Sequence, residues 1–268
     1  MSFEEKNFIA KNGLNVTYIE DPYPVENAFG ESKLVVIFQS LGDEKSDDPV
    51  KRYPYTLLAG LRYHNCRKIY IKDDKEHVGD YYIGSKGEFK TQEAVLEFIK
   101  SKVKEYKILT SNITFFGFSK GGYAALLFSH LMPVNAVISA IPQFDLVKWI
   151  EKYKPHLSYI YPENPTSEQK AVYSRHLKNV IEHSIFSPKR IYLITSRNDD
   201  TYTHHIPPLL KSLEVKSESE VNVFYNDEHY VTQHNNVVKN SLNEILMFLS
   251  YELASESAQR LITVTKKT

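Results

Sequence analysis

One cysteine, Cys66, stands in a chain of 268 residues. That excludes an internal disulfide and any multi-cysteine zinc or iron–sulfur site. No H-E-x-x-H pair is present either, and no metal site is expected. Charge of one sign is missing: Lys plus Arg number 33 and Asp plus Glu number 33. Without a net field to hold a polyanion, nucleic acid is not expected as a ligand. Long apolar runs are missing as well. The longest candidate, residues 124–141, is interrupted by Ser129, His130, Pro133 and Asn135, so no membrane span is expected. The opening MSFEEKNFIAKNG lacks the basic-then-apolar order of a secretory signal, which points to a cytoplasmic protein.

What is present is a hydrophobic fraction of 42%, enough for one core and one domain over residues 1–268. Tryptophan is a single residue, whereas Tyr numbers 19 and Phe 14. Tyrosine combines a flat apolar face with a hydroxyl, which suits sugar or cofactor surfaces as well as ordinary packing.

Strand and helix patterns alternate. Residues 7–10 and 15–19 flank an Asn-Gly turn and predict a hairpin. LVVIF over 34–38 is a continuous β-branched and aromatic run, the mark of a strand covered on both faces. Further strands are expected at 68–71, 113–116, 136–140, 190–195 and 221–225. Helices are expected at 55–63, 91–106, 120–131, 205–213 and 237–253. This alternation predicts an α/β fold: a mostly parallel sheet with helices on both faces. The section 142–189, rich in proline and aromatics, reads as an irregular lid insertion.

The strand at 113–116 runs into Gly117-Phe118-Ser119-Lys120-Gly121, a G-x-S-x-G elbow that carries a serine at the apex of a strand–helix turn. GFSKGG is no phosphate-binding Walker loop, since G-x-x-x-x-G-K-[ST] is absent. A serine hydroxyl needs a base, and the base needs an orienting acid. In chain order these should follow the next-to-last and last strands. Asp199 in SRNDD and His229 in NDEH occupy those places, with Asp200 and His234 as the alternatives. His204 and His205 read as a helix start or a substrate-facing pair. Two backbone N–H groups must face the developing oxyanion. One is expected from Lys120, the other from the loop Gln39-Ser40-Leu41-Gly42, with Leu41 first and Ser40 next.

From the elbow to the histidine the chain resembles an α/β-hydrolase. With DYYIG over 80–84, GFSKGGYAAL and SRNDD, it is similar to bacterial capsular polysaccharide O-acetyltransferases and related capsule-biosynthesis proteins. More distantly it resembles hydrolase-like accessory secretion proteins that act on glycosylated adhesins. That resemblance implies Ser119, Asp199 and His229 as the triad, acetyl-CoA as donor and a surface-glycan hydroxyl as acceptor. Lys120, with Lys51, Arg52, Lys72 and Lys75, is then a candidate for the CoA phosphates, and Trp149 and Tyr153 for the saccharide. An esterase or carbohydrate deacetylase, and a non-catalytic partner protein in glycan or adhesin export, are the other readings the residues allow. No His-Gly precedes the oxyanion loop as it does in many lipases.

Overall fold

The computed structural model describes residues 3–22, 32–254 and 258–259. Eight strands form one sheet in the order β1-β2-β4-β3-β5-β6-β7-β8. β1 (Glu5–Ile9) and β2 (Asn15–Asp21) make the expected antiparallel hairpin, and β2 pairs antiparallel with β4 (Arg67–Ile71). From β4 onward every pairing is parallel, through β3 (Leu34–Phe38), β5 (Ile113–Phe118), β6 (Ala136–Ala140), β7 (Arg190–Thr195) and β8 (Glu220–Tyr225).

The strand LVVIF explains the layering. All five of its residues are buried. Leu34, Val36 and Phe38 point into one apolar cluster, and Val35 and Ile37 into the other, as a period of two requires. The first cluster also takes the apolar faces of α2 (Lys90–Glu105), α3 (Lys120–Ser129), α4 (Leu146–Tyr153), α5 (Ser167–His183) and α6 (Tyr202–Lys216). The second takes α7 (His234–Asn240) and α8 (Leu242–Leu253). This is the α/β-hydrolase arrangement expected, a mostly parallel sheet with helices on both faces.

Three local expectations differ. The stretch 55–63 forms a run of turns, and the only helix near it is the short α1 (Pro49–Arg52). Leu57 takes a φ of 52°, outside the helical region, while the Thr56 hydroxyl accepts the Ser40 N–H at 3.1 Å. The helix expected at 237–253 starts earlier and breaks at Ser241, separating α7 from α8. Section 142–189 is largely helical rather than irregular, built from α4, a 3₁₀ turn at Pro155–Ile160 and α5. Asp145 caps α4 through the N–H groups of Val147 and Lys148, and Thr166 with Gln169 forms a capping box on α5.

Candidate active site

Ser119 sits between β5 and α3 with φ 53° and ψ −120°, a conformation that non-glycine residues rarely adopt. The neighbouring glycines are required by contact. A Cβ at Gly117 would lie 2.2 Å from the Gly121 carbonyl oxygen, and one at Gly121 would lie 2.4 Å from that of Phe38. The turn thus presses the start of α3 against the end of β3, where the oxyanion loop begins.

Three side chains converge here. His234 Nε2 lies 3.1 Å from Ser119 Oγ, and His234 Nδ1 lies 2.8 Å from Asp199 Oδ2. The other carboxylate oxygen of Asp199 accepts the Thr201 N–H at 2.8 Å and its hydroxyl at 2.9 Å. Burial raises the Asp199 carboxyl, but the His234 hydrogen bond and charge and the two bonds from Thr201 outweigh it. The carboxyl therefore lies below its ordinary value. Asp200 is exposed and offers only its carbonyl, to the Tyr153 hydroxyl at 3.4 Å.

The histidine expected at 229 is corrected by this geometry. His229 is exposed, its ring against Tyr230, and it makes no bond to Ser119 or Asp199. The cause is the path of the loop after β8. Asp227 turns back to the Arg197 N–H at 2.7 Å, and the Asn198 side chain holds the Asp227 and Glu228 carbonyls. The chain leaves the site at 229 and returns at His234, five residues later. Gln233 and Asn236 form a capping box, which makes His234 the first residue of α7. The sequence carries no clear signal for this, because Gln-x-x-Asn lacks the Ser or Thr of the usual capping box.

Of the two loop donors, the Ser40 N–H is already engaged by Thr56. The Leu41 N–H carries no hydrogen bond among the described residues. The Lys120 N–H, at the first position of α3, has no intrahelical partner. Leu41 and Lys120 are therefore the available pair, and Ser40 is not.

The Lys120 side chain is a second correction. It is fully buried, 2.9 Å from Asp73 and 3.1 Å from the Val78 carbonyl oxygen, and cannot meet a phosphate in solvent. Arg52, Lys72 and Lys75 are paired with Asp47, Glu5 and Asp74, while Lys51 is exposed.

Trp149, on α4, packs against His234, and Tyr153, one turn further along that helix, packs against Trp149. The Trp149 ring centroid is 5.8 Å from that of His234 and 5.2 Å from that of Tyr153. His205 lies behind them, its Nδ1 accepting the Phe144 N–H at 3.1 Å, which puts its proton on Nε2. Burial, with the nearby His234 and His204, pushes this imidazole down to about 3. Sequence reasoning missed Gln143 altogether. Its buried amide nitrogen lies 3.0 Å from Ser119 Oγ and 3.3 Å from His234 Nε2. Nothing in IPQFD marks it as a site residue. Among the described residues no three His, Cys, Asp or Glu side chains gather as metal ligands, and no helix is long and apolar enough to cross a membrane.

Residues 84–256 match the model of the prolyl oligopeptidase family. Solved structures share the fold. One is a mutant capsule O-acetyltransferase of Neisseria meningitidis serogroup A in complex with CoA, with 13% identity over 93% of this chain and 95% of that one and a TM-score of 0.69. A glycosylation associate protein complex from Streptococcus agalactiae has 17% identity, 94% and 47% coverage and a TM-score of 0.74. A fluorophosphonate-binding serine hydrolase of Staphylococcus aureus has 12% identity, 95% and 99% coverage and a TM-score of 0.66. At these identities the likeness is one of fold. No curated protein matches the chain in sequence.

Proposed function

The chain belongs to the prolyl oligopeptidase family of α/β-hydrolases, and on that premise we propose that it transfers an acyl group through an ester on Ser119 to a saccharide hydroxyl, with acetyl-CoA as donor. The observation that carries the reading is the line Ser119–His234–Asp199, at 3.1 and 2.8 Å, on a strained elbow.

In the first half-reaction His234 Nε2 takes the Ser119 proton as Oγ attacks the thioester carbonyl. The oxyanion forms against the Lys120 and Leu41 N–H groups. Collapse expels the thiolate, which takes the proton from His234 and leaves as CoA. In the second half-reaction His234 removes the proton of the acceptor hydroxyl, whose oxygen attacks the acetyl-serine. The tetrahedral species then collapses to the sugar ester, and His234 returns its proton to Ser119 Oγ. Asp199 holds Nδ1–H and stabilises the imidazolium in both halves.

Two features support acetyl transfer to a glycan. The fold is shared with a capsule O-acetyltransferase whose structure holds CoA. Trp149 packs over His234 and Tyr153 stands half-buried beside it, which covers part of the site and leaves the Tyr153 ring within reach of a sugar. The supply of acetyl-CoA places the proposed reaction in the cytosol. A second reading, an esterase or carbohydrate deacetylase, uses the same residues with water as acceptor. It is favoured by the partial exposure of Ser119 and His234, which leaves water a route to the ester.

Intact mass after mixing with acetyl-CoA tests the donor. The expected result is a gain of roughly 42 Da, one acetyl group, in the native chain and none in Ser119→Ala. A chain that hydrolyses small acetyl esters through Ser119 but never gains this mass from acetyl-CoA is the esterase.

A further inference from the structure

A lysine directly after the nucleophile, with its ammonium in the core, is a costly choice that the triad does not explain. Lys120 and Asp73 have side chains with 0% exposure and face each other at 2.9 Å. A buried pair of this kind is a weak source of stability, because desolvation of both charges offsets their attraction. What it does supply is fixed geometry, and here the partners lead to both walls of the oxyanion hole.

Lys120 belongs to one wall through its own N–H. Asp73 reaches the other: its N–H donates to Gln39 Oε1 at 2.8 Å. Gln39 begins the loop that carries Leu41, and its own N–H donates to the Tyr82 hydroxyl at 2.5 Å. Tyr82 in turn donates to the Ile71 carbonyl at 2.9 Å, so the loop is bonded to the end of β4 from two directions. On its far side Asp73 accepts the Asp80 N–H at 3.0 Å, and the Asp80 carboxylate oxygen accepts the Thr91 hydroxyl at 2.5 Å. The chain closes tightly over the pair, since a Cβ at Gly79 would fall 2.3 Å from the Asp73 carboxylate and 2.5 Å from Lys120 Nζ. Burial and the adjacent Asp73 charge hold the Asp80 carboxyl well above its ordinary range, and it is the Asp73 side chain that meets the ammonium.

We propose that the Lys120–Asp73 pair is the positioning element of the oxyanion hole, tying the Lys120 N–H at the elbow to the loop of Leu41 through the Asp73–Gln39 hydrogen bond. The inference rests on the acyl-transfer reading above and adds residues that never touch the substrate. The two donors follow the ends of neighbouring strands, β5 and β3, and the tie adds a side-chain link beyond the backbone contact between Gly121 and Phe38. Small shifts are enough to matter, because donors act only when aimed at the place where charge develops.

The test is steady-state hydrolysis of p-nitrophenyl acetate by Lys120→Met, by Gln39→Met and by the double variant. It runs beside Ser119→Ala, and inhibition by phenylboronic acid, which forms a tetrahedral adduct on an active serine, is measured in parallel. Each single variant should lose about 10²-fold in kcat with KM within about twofold, the scale of losing one oxyanion donor. Boronate inhibition should weaken by a similar factor. The double variant should lose little more than either single one, because both cut the same tie. Should Lys120→Met fail to fold, Gln39→Met decides alone, since it removes only the loop's link to Asp73. Folded variants that keep kcat within about threefold while melting lower overturn the positioning role, as do losses that simply multiply. Turnover that survives Ser119→Ala overturns the acyl-transfer reading itself, which is a different failure.

Discussion

His234 Nδ1 lies 2.8 Å from Asp199 Oδ2 although 35 residues separate the two, and His229, closer in sequence, faces solvent. His234→Ala and Asp199→Asn should each lower kcat by about 10⁴-fold or more, the asparagine by leaving the imidazole in the wrong tautomer. His229→Ala and Asp200→Asn should stay within about twofold of the native rate. Ester hydrolysis on the four purified variants checks the assignment. A large loss in His229→Ala would return the base to the loop.

Gln143 is fully buried and donates to the Ser119 hydroxyl at 3.0 Å, so the hydroxyl proton is left to point at His234. Gln143→Met fills the same space without the donor. It should reduce kcat by about 10–100-fold through a misaligned nucleophile, with unfolding by urea nearly unchanged. An unaltered kcat would leave Gln143 a packing residue.

Trp149 is only 6% exposed and lies in the core as well as over His234. Trp149→Ala should therefore cost about 3–5 kcal/mol of stability and depress glycan acetylation and ester hydrolysis together. Tyr153 is half-buried beside it. Tyr153→Ala should slow acetylation of a glycan while hydrolysis of a small ester persists, because water reaches the triad more easily. Equal loss of both activities in Tyr153→Ala would deny it an acceptor role.

Burial holds His130 and His176 down to about 4 and, with help from His234, holds His205 down to about 3, against 6.5 for a free imidazole. On unfolding below pH 6.5 these rings take up protons that the folded chain refuses. Their stabilisation is therefore full above 6.5 and lost as pH falls toward the folded values. Asp80 acts in the opposite direction, since the folded chain keeps a proton that the unfolded one releases. Near pH 5 the three rings take up about three protons on unfolding and Asp80 can release about one at most, so unfolding takes up protons on balance and stability falls as pH falls. Urea unfolding between about pH 5 and 6 measures this slope. His176→Gln should lower it by about one proton, and a slope near zero in the native chain would refute the account.

The strands were legible because their signals are local. LVVIF and RIYLIT are continuous apolar runs that only a doubly covered strand explains, and both lie where expected. The elbow was legible for a related reason, since glycines on either side of a serine answer to contacts within the same turn. The stretch 55–63 was not, because its turns are held by contacts such as the Thr56 hydroxyl on Ser40, a residue from another loop.

The amino-acid sequence alone determined the order of the strands, the strained serine and the acidic pair Asp199-Asp200 after β7, each through a pattern confined to neighbouring residues. Which histidine meets Asp199, and where the ammonium of Lys120 goes, only the tertiary structure decided. The first depends on bonds from Arg197 and Asn198 that bend the loop after β8. The second depends on Asp73, brought to the elbow from the end of β4. Both are set by partners distant in the chain, and no local pattern encodes the path that joins them.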